Sequence, residues 1–333
     1  MQGARATSER ATLDGLRGVA AFAVVLMHAG ALAPRAYLAV DLFFLLSGFV
    51  LEHAYGARLA AGWNPFGFLK KRLARLYPLY ALAIAIAIVA VGSALLLHRA
   101  AGWTWRAFVI AAGAGSVMLP AWLKGDHRLY PLDFPAWTLL AELVVNLIWA
   151  AVYRRLNRWA LLAWIGLAAG ALCVLGLRHG SLNGGADWDT GPLGLARALF
   201  AFPLGVLLRR EGRAALPAAA GLLALLGAAA VLYLPGAANP AYDLAVALLL
   251  WPAVIAVGAA GEVQGPVRAA CIALGAVSFA AYITAAPVYV LVHAVLKARG
   301  LQADVLPWPV AVGFAAALFA GCLVVRRFAG RSD

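Results

Sequence analysis

The sequence predicts an all-α integral membrane protein with about ten transmembrane helices, and three observations carry that prediction. Of 333 residues, 65% belong to the set AVILMFWYC and only 12% are charged, against roughly 45–50% and about 25% in soluble chains. The apolar residues gather into eleven stretches, most of them near the roughly 20 residues that one crossing needs. The 27 Lys and Arg, set against 14 Asp and Glu, concentrate in alternate loops. A water-soluble domain could not bury this much apolar surface, and the same composition excludes disorder. The net charge of +13 alone would permit a nucleic-acid partner. On so apolar a background it reads as a topology signal, so the expected partner is a lipid bilayer and no nucleic acid.

The stretches lie near 15–33, 37–55, 77–97, 104–123, 135–153, 159–177, 193–208, 215–235, 243–260, 270–295 and 307–325. Met1–Arg10 is polar and more apolar segments follow the first directly, so 15–33 reads as a transmembrane helix and not as a cleaved leader. The fourth stretch, TWRAFVIAAGAGSVMLPAW, is interrupted by Gly and Pro. Lys and Arg in short loops favour the cytoplasm, which decides whether this stretch crosses. If it does not, and the N-terminus is cytoplasmic, 18 cations fall inside and 8 outside, with Arg197 left within a helix. If it does, the clusters at 154–158, 209–213 and 326–331 turn outward. The sequence therefore predicts ten crossings, both termini cytoplasmic, and an interfacial or re-entrant element near 104–123. Residues 1–333 read as one transmembrane domain with no appended soluble domain. Cys173, Cys271 and Cys322 all sit in apolar stretches, which suggests neither a disulfide framework nor a zinc site.

Ionisable side chains inside such segments are costly and usually face a bundle interior or an aqueous cavity. His28 follows Arg17 by eleven residues, so both point to one face of the first helix about 16 Å apart. Asp41 lies near the outer end of the second helix, and Glu142 about two turns into the segment that begins at 135. An imidazole and two carboxylates thus reach a similar depth. That set suits a general base whose partner carboxylate fixes its tautomer; it would also serve a proton relay or hydrogen bonding between helices. In FGFLKKRLARLYPLY, Lys71, Arg72 and Arg75 would form the basic face of a short helix ended by Pro78. Such a face suits lipid headgroups, or the phosphates of a cytoplasmic co-substrate. No Walker or dinucleotide fingerprint accompanies it.

Taken together these elements resemble the membrane-bound acyltransferase-3 family. The resemblance rests on LDGLRGVAAFAVVLMH at 13–28 with its Arg-x10-His spacing, VDLFFLLSGFV at 40–50, RLARLYP at 72–78, PAWTLLAE at 135–142 and, most loosely, SFAAYITAAP at 278–287. It implies transfer of an acyl group, commonly acetyl from acetyl-CoA as co-substrate, to a hydroxyl of a carbohydrate or glycolipid, in the inner membrane of a bacterium. His28 would be the catalytic histidine, with Asp41 and Glu142 in the catalytic set. Arg17, Lys71, Arg72 and Arg75 would serve the CoA side. No metal and no tightly bound cofactor is implied. The chain departs from the pattern at Ala285, where members often carry a late histidine, and at Thr138, where a serine is usual.

The rival reading is a proton-coupled transporter of a lipid-linked sugar or small molecule, with Asp41 and Glu142 as relay groups. The outer segments 98–134 and 178–192 carry Trp122, Asp126, His127, Tyr130, Asp133, Asp187, Trp188 and Asp189. These suit both sugar recognition and interfacial anchoring.

Overall fold

The computed structural model describes residues 11–30, 32–98, 100, 102–212, 214–236, 238–298 and 306–329. Of the cations counted above, Arg5, Arg10, Arg99, Arg213, Arg299 and Arg331 lie outside the described residues. Among the described residues there are helices and isolated β-bridges but no strand. In order the helices are α1 (Ala11–Gly30), α2 (Ala39–Ala60), α3 (Pro65–Leu96), α4 (Trp105–Ser116), α5 (Trp137–Val152), α6 (Arg158–His179), α7 (Gly191–Arg210), α8 (Ala218–Tyr233), α9 (Pro240–Ala245), α10 (Trp251–Ala260), α11 (Gly265–Ala298) and α12 (Trp308–Ala329). A π-helical segment, Val246–Leu250, joins α9 to α10 into one span.

Local sequence sets several boundaries. Asn64 caps α3 by accepting from the Phe66 N–H at 2.8 Å, with Pro65 in the first helical position, where its missing N–H costs nothing. Asn157 caps α6 through the Ala160 N–H at 2.9 Å, and Gly180 ends it with φ of 80°, a conformation favourable to glycine. Among the described residues nine helical spans are long and apolar enough to cross a membrane, and α8 adds a shorter apolar helix of 16 residues.

Two segments differ from, or sharpen, the sequence expectation. Pro78 does not end the basic helix: α3 runs unbroken through it for 32 residues. The hydrogen bond lost at Pro78 is outweighed because buried Arg72 and Leu76 before it, and Tyr80, Ala83 and Ile84 after it, are packed on one side of the helix. The stretch 104–123 forms only the 12-residue α4, about 18 Å long and too short for a hydrocarbon core of about 30 Å. It packs along α3, where Tyr77 and Tyr80 donate to the carbonyls of Ser116 and Gly115. The chain then turns back: the Ala121 N–H donates to Leu129 O, and the Leu129 N–H to Ala186 O in the loop before α7.

Contacts between helix ends sort them into two faces. On one, the Ala11 N–H reaches Glu262 at 2.7 Å, Arg326 reaches Ala276 O, Arg158 pairs with Glu211, and Arg210 pairs with Glu52. The described ends of α1 and α12 therefore share this face, together with the clusters at 154–158 and 209–210. It is the side to which the charge bias assigns the cytoplasm, and is called the basic face below. On the other, Arg35 stacks on Tyr242 and the Leu306 N–H donates to Ala29 O. Large apolar side chains such as Leu82, Val89, Leu167 and Leu223 project outward from the helices, as a lipid-facing surface requires.

Helices α1 and α2 occupy the centre. Small residues set how closely their neighbours approach: a β-carbon on Gly48 of α2 would overlap Phe202 O of α7, and one on Gly205 of α7 would overlap Leu45 O of α2. Overpacking of this kind costs about 1–3 kcal/mol. Gly48→Ala or Gly205→Ala should therefore lower the thermal unfolding midpoint of detergent-solubilised protein, while Gly166→Ala, whose β-carbon meets open space, should leave it unchanged or raise it.

Candidate active site

The ionisable residues inside the bundle fall into two kinds, those fully bound to one another and those left with free capacity. Asp41, in the first turn of α2, belongs to the first. Arg197 of α7 grips both its oxygens, Nε to Oδ1 at 2.9 Å and Nη2 to Oδ2 at 2.8 Å, with both side chains 2% exposed or less. The remaining guanidinium donors reach Tyr37 O at 2.7 Å and Gly184 O at 3.0 Å. Two-point geometry with all three guanidinium nitrogens engaged is what allows such a pair to persist away from water.

Glu142 of α5 belongs to a second polar group. Its Oε1 accepts from Arg72 of α3 at 2.5 Å and from Ser47 of α2 at 2.7 Å. Arg72 was expected at the cytoplasmic surface; instead it is buried and meets Glu142 within the bundle. The uninterrupted course of α3 carries it there. Its Nε has no partner among the described residues, nor does the amide of fully buried Asn146, one turn along α5 from Glu142.

Arg17 lies nearer the basic face. It donates to Asp14 at 2.6 Å, to Ser278 at 3.0 Å and to Gly275 O at 3.0 Å, and it lies within electrostatic reach of Arg75, Arg326 and Glu142. Arg75 is exposed on α3. Lys71, also exposed, stands apart, with its ammonium 6.0 Å from the Tyr55 ring centre on the α2 side. The structure thus gathers Arg17, Arg72, Arg75 and Glu142 in the space between α1, α3, α5 and α11, with Arg326 as an unforeseen fourth cation. It does not bring Lys71 to them.

His28 lies in the last turn of α1, half-buried, with its ring edge-on to Phe134 at 4.8 Å. The spacing along the helices set His28, Asp41 and Glu142 at a similar depth. Among the described residues, however, neither carboxylate hydrogen-bonds the imidazole. Asp41 is held by Arg197, and Glu142 by Arg72 and Ser47. The matched segment of α11 contacts two others: Ser278 bonds Arg17, and the Tyr282 hydroxyl lies 3.1 Å from Thr138 Oγ1. Ala285 is buried in an apolar cluster with Val25, Leu26 and Phe319. Arg197 was the principal residue left without a role by sequence reasoning; its signal was its position, a cation stranded inside an apolar helix.

The loops on the face opposite the basic one pack against each other here. Trp122 and Trp188 meet at 5.2 Å between ring centres, and the Trp188 N–H donates to His127 O. Asp133, just before the fourth span, is completely buried; burial pushes its carboxyl well above the usual carboxylate range.

These features define a helical, multi-pass membrane protein whose ionisable groups converge inside the bundle. A sequence model of the acyltransferase domain family, acyltransferase 3, matches residues 10–327, and the chain belongs to that family of membrane acyltransferases. It is similar to the protein called "Protein 2 in picA locus" of Rhizobium radiobacter, 45% identical over 152 residues that make up 41% of this chain and 79% of that one. It is also similar to acyltransferase MdmB of Streptomyces mycarofaciens, 29% identical over 182 residues, 49% of this chain and 45% of the relative. The match thus spans less than half the length of MdmB. No solved structure matches the chain.

Removing one partner of a buried ion pair strands the other and costs about 3–5 kcal/mol. Arg197→Met should therefore lower the unfolding midpoint sharply, and adding Asp41→Leu in the same chain should restore much of the loss. Thermal unfolding of the two variants in one detergent provides the check.

Proposed function

We propose that the protein transfers an acyl group, acetyl from acetyl-CoA, to a hydroxyl of a carbohydrate or glycolipid acceptor, with His28 as the general base. The observation that carries this reading is the division of the bundle. Cations Arg17, Arg75 and Arg326 lie toward the basic face, and the half-buried imidazole lies toward the opposite one. Guanidinium groups match phosphate geometry, so an acyl-CoA arriving at the basic face, taken as cytoplasmic, can hold its phosphates there. Its thioester arm would then extend between α1, α3, α5 and α11. The unpartnered Arg72 Nε and Asn146 amide offer polar contacts along that course.

In the step proposed, a ring nitrogen of His28 takes the acceptor hydroxyl's proton and the oxygen attacks the thioester carbonyl carbon. The tetrahedral intermediate collapses with cleavage of the carbon–sulfur bond, and the imidazolium returns its proton to the departing thiolate. Glu142 holds Arg72 in place, and Asp41 acts through Arg197 on the frame. A transporter using Asp41 and Glu142 as relay groups gains no support from a geometry in which each is tied to an arginine.

Purified protein in nanodiscs should release CoA from radiolabelled acetyl-CoA in the presence of glycoside acceptors and label the acceptor. Loss of a positioned base typically costs about 10²–10⁴-fold, so His28→Ala should lose transfer to that extent while inserting and unfolding like the parent. Undiminished transfer in that variant would sink the assignment.

A further inference from the structure

Among the described residues the arrangement gives His28 no carboxylate partner and leaves one carboxyl without employment. Asp133 is 0% exposed, and neither of its side-chain oxygens has a hydrogen-bond partner among the described residues. It is the only carboxyl so placed among them. It occupies the N-cap position of the short helix Phe134–Ala136, where an aspartate side chain ordinarily accepts from a backbone N–H. Here the side chain makes no such bond, and only its main-chain carbonyl accepts, from the Ala136 N–H at 3.0 Å.

The neighbouring groups are committed elsewhere. Tyr80 and Tyr130 donate to the carbonyls of Gly115 and Met118, and Tyr282 is paired with Thr138. The two arginines buried in this region, Arg72 and Arg197, serve Glu142 and Asp41. A buried polar group with no partner calls for an explanation, and capping, ion pairing and tyrosine bonding are all absent among the described residues.

The position supplies the explanation. The next residue, Phe134, carries the ring that abuts His28. Tyr282 lies in the electrostatic field of both Asp133 and Glu142. Asp133 and Tyr130 line a narrow crevice with Ile84, Ala111 and Gly115, between α3, α4 and the returning segment; it is too tight for a water molecule in this structure and must widen to admit a hydroxyl.

We propose that Asp133 binds a hydroxyl of the acceptor and so holds the acceptor beside His28. A carboxyl kept toward its neutral form offers one O–H donor and one carbonyl acceptor, the complement of an alcohol, which both donates and accepts. The inference rests on the acyl-transfer reading above. It leaves the proton balance of that reaction unchanged, since His28 still takes the hydroxyl proton and returns it to the thiolate.

The test compares Asp133→Leu and Asp133→Asn with the parent in nanodiscs, using radiolabelled acetyl-CoA and octyl β-glucoside as the acceptor probe. Leucine fills the space without polar capacity, so the KM for octyl β-glucoside should rise about tenfold or more. The KM for acetyl-CoA should stay within about twofold, and the unfolding midpoint should hold or rise because an orphaned polar group has gone. Asparagine keeps a donor and an acceptor and should restore most of the acceptor KM. A parental acceptor KM in Asp133→Leu overturns the proposal. So does a lowered midpoint with both KM values shifted together, which would mark a structural role. Absence of acetyl transfer by the parent protein itself would instead remove the acyl-transfer reading, and this proposal with it.

Discussion

The ion pair of Asp41 and Arg197 is the contact from which the interior is organised. Within hydrocarbon a carboxylate and a guanidinium persist only if they satisfy each other and their remaining donors find acceptors. Those acceptors are Tyr37 O, before α2, and Gly184 O, in the loop before α7. One guanidinium therefore fixes α2, α7 and two pieces of the outer surface together. The Trp137 ring lies 5.9 Å from it, and Gly185 and Gly194 have no β-carbon to keep Trp137 out. Trp137 begins α5, so its seating sets the register that presents Thr138 to Tyr282 and Glu142 to Arg72. A second satisfied carboxylate, Asp243, accepts from Tyr37, Ser181 and the Leu182 N–H and ties α9 to the same surface.

From this follows a distinction between polar groups that build and polar groups with capacity to spare. Asp41, Arg197 and Asp243 are buried with every charged side-chain nitrogen and oxygen hydrogen-bonded, and an interior charge so held is committed to the frame. Arg72 Nε, the Asn146 amide and the Asp133 carboxyl are buried without partners among the described residues, and they lie on α3, on α5 and just before α5. A protein that kept such groups for stability alone would be better served by apolar side chains of the same volume. On the proposed reading they are groups that a substrate can engage.

The fold was largely legible because crossing a membrane demands long apolar helices, and that demand is written in composition. The decision on 104–123 followed from charge alone, and α4 is indeed too short to cross. What sequence could not show was partnership. Asp41 and Glu142 looked like alternative partners for His28 because their depth could be counted along helices, whereas the rotation of each helix about its axis could not. Rotation directs Asp41 to Arg197, 156 residues away, and Glu142 to Arg72. Pro78 misled for a related reason: a proline's local penalty is fixed, but the packing that outweighs it is tertiary. Asp133 was visible only as one of several acidic residues in a polar loop, and burial is what separates it from exposed Asp189.

The same burial logic bears on how many groups can handle protons. At the late position where the chain departs from the pattern it resembles, Ala285 is 1% exposed among Val25, Leu26 and Phe319. An imidazole there would displace an apolar layer between α1, α11 and α12. His293, two turns farther along α11, stacks on Tyr289. On the proposed reading a single imidazole must therefore both accept the hydroxyl proton and return it to the thiolate. That cycle favours surroundings that do not trap the charged ring. The Phe134 edge supplies such a surface, and the absence of a direct carboxylate bond to His28 among the described residues agrees with it. An arrangement with Asp41 bonded to the ring would hold the imidazolium more strongly and slow its return to the neutral base. On the proposed reading the lock between Asp41 and Arg197 therefore serves the chemistry as well as the frame, since it commits that carboxylate to a guanidinium and not to the imidazole.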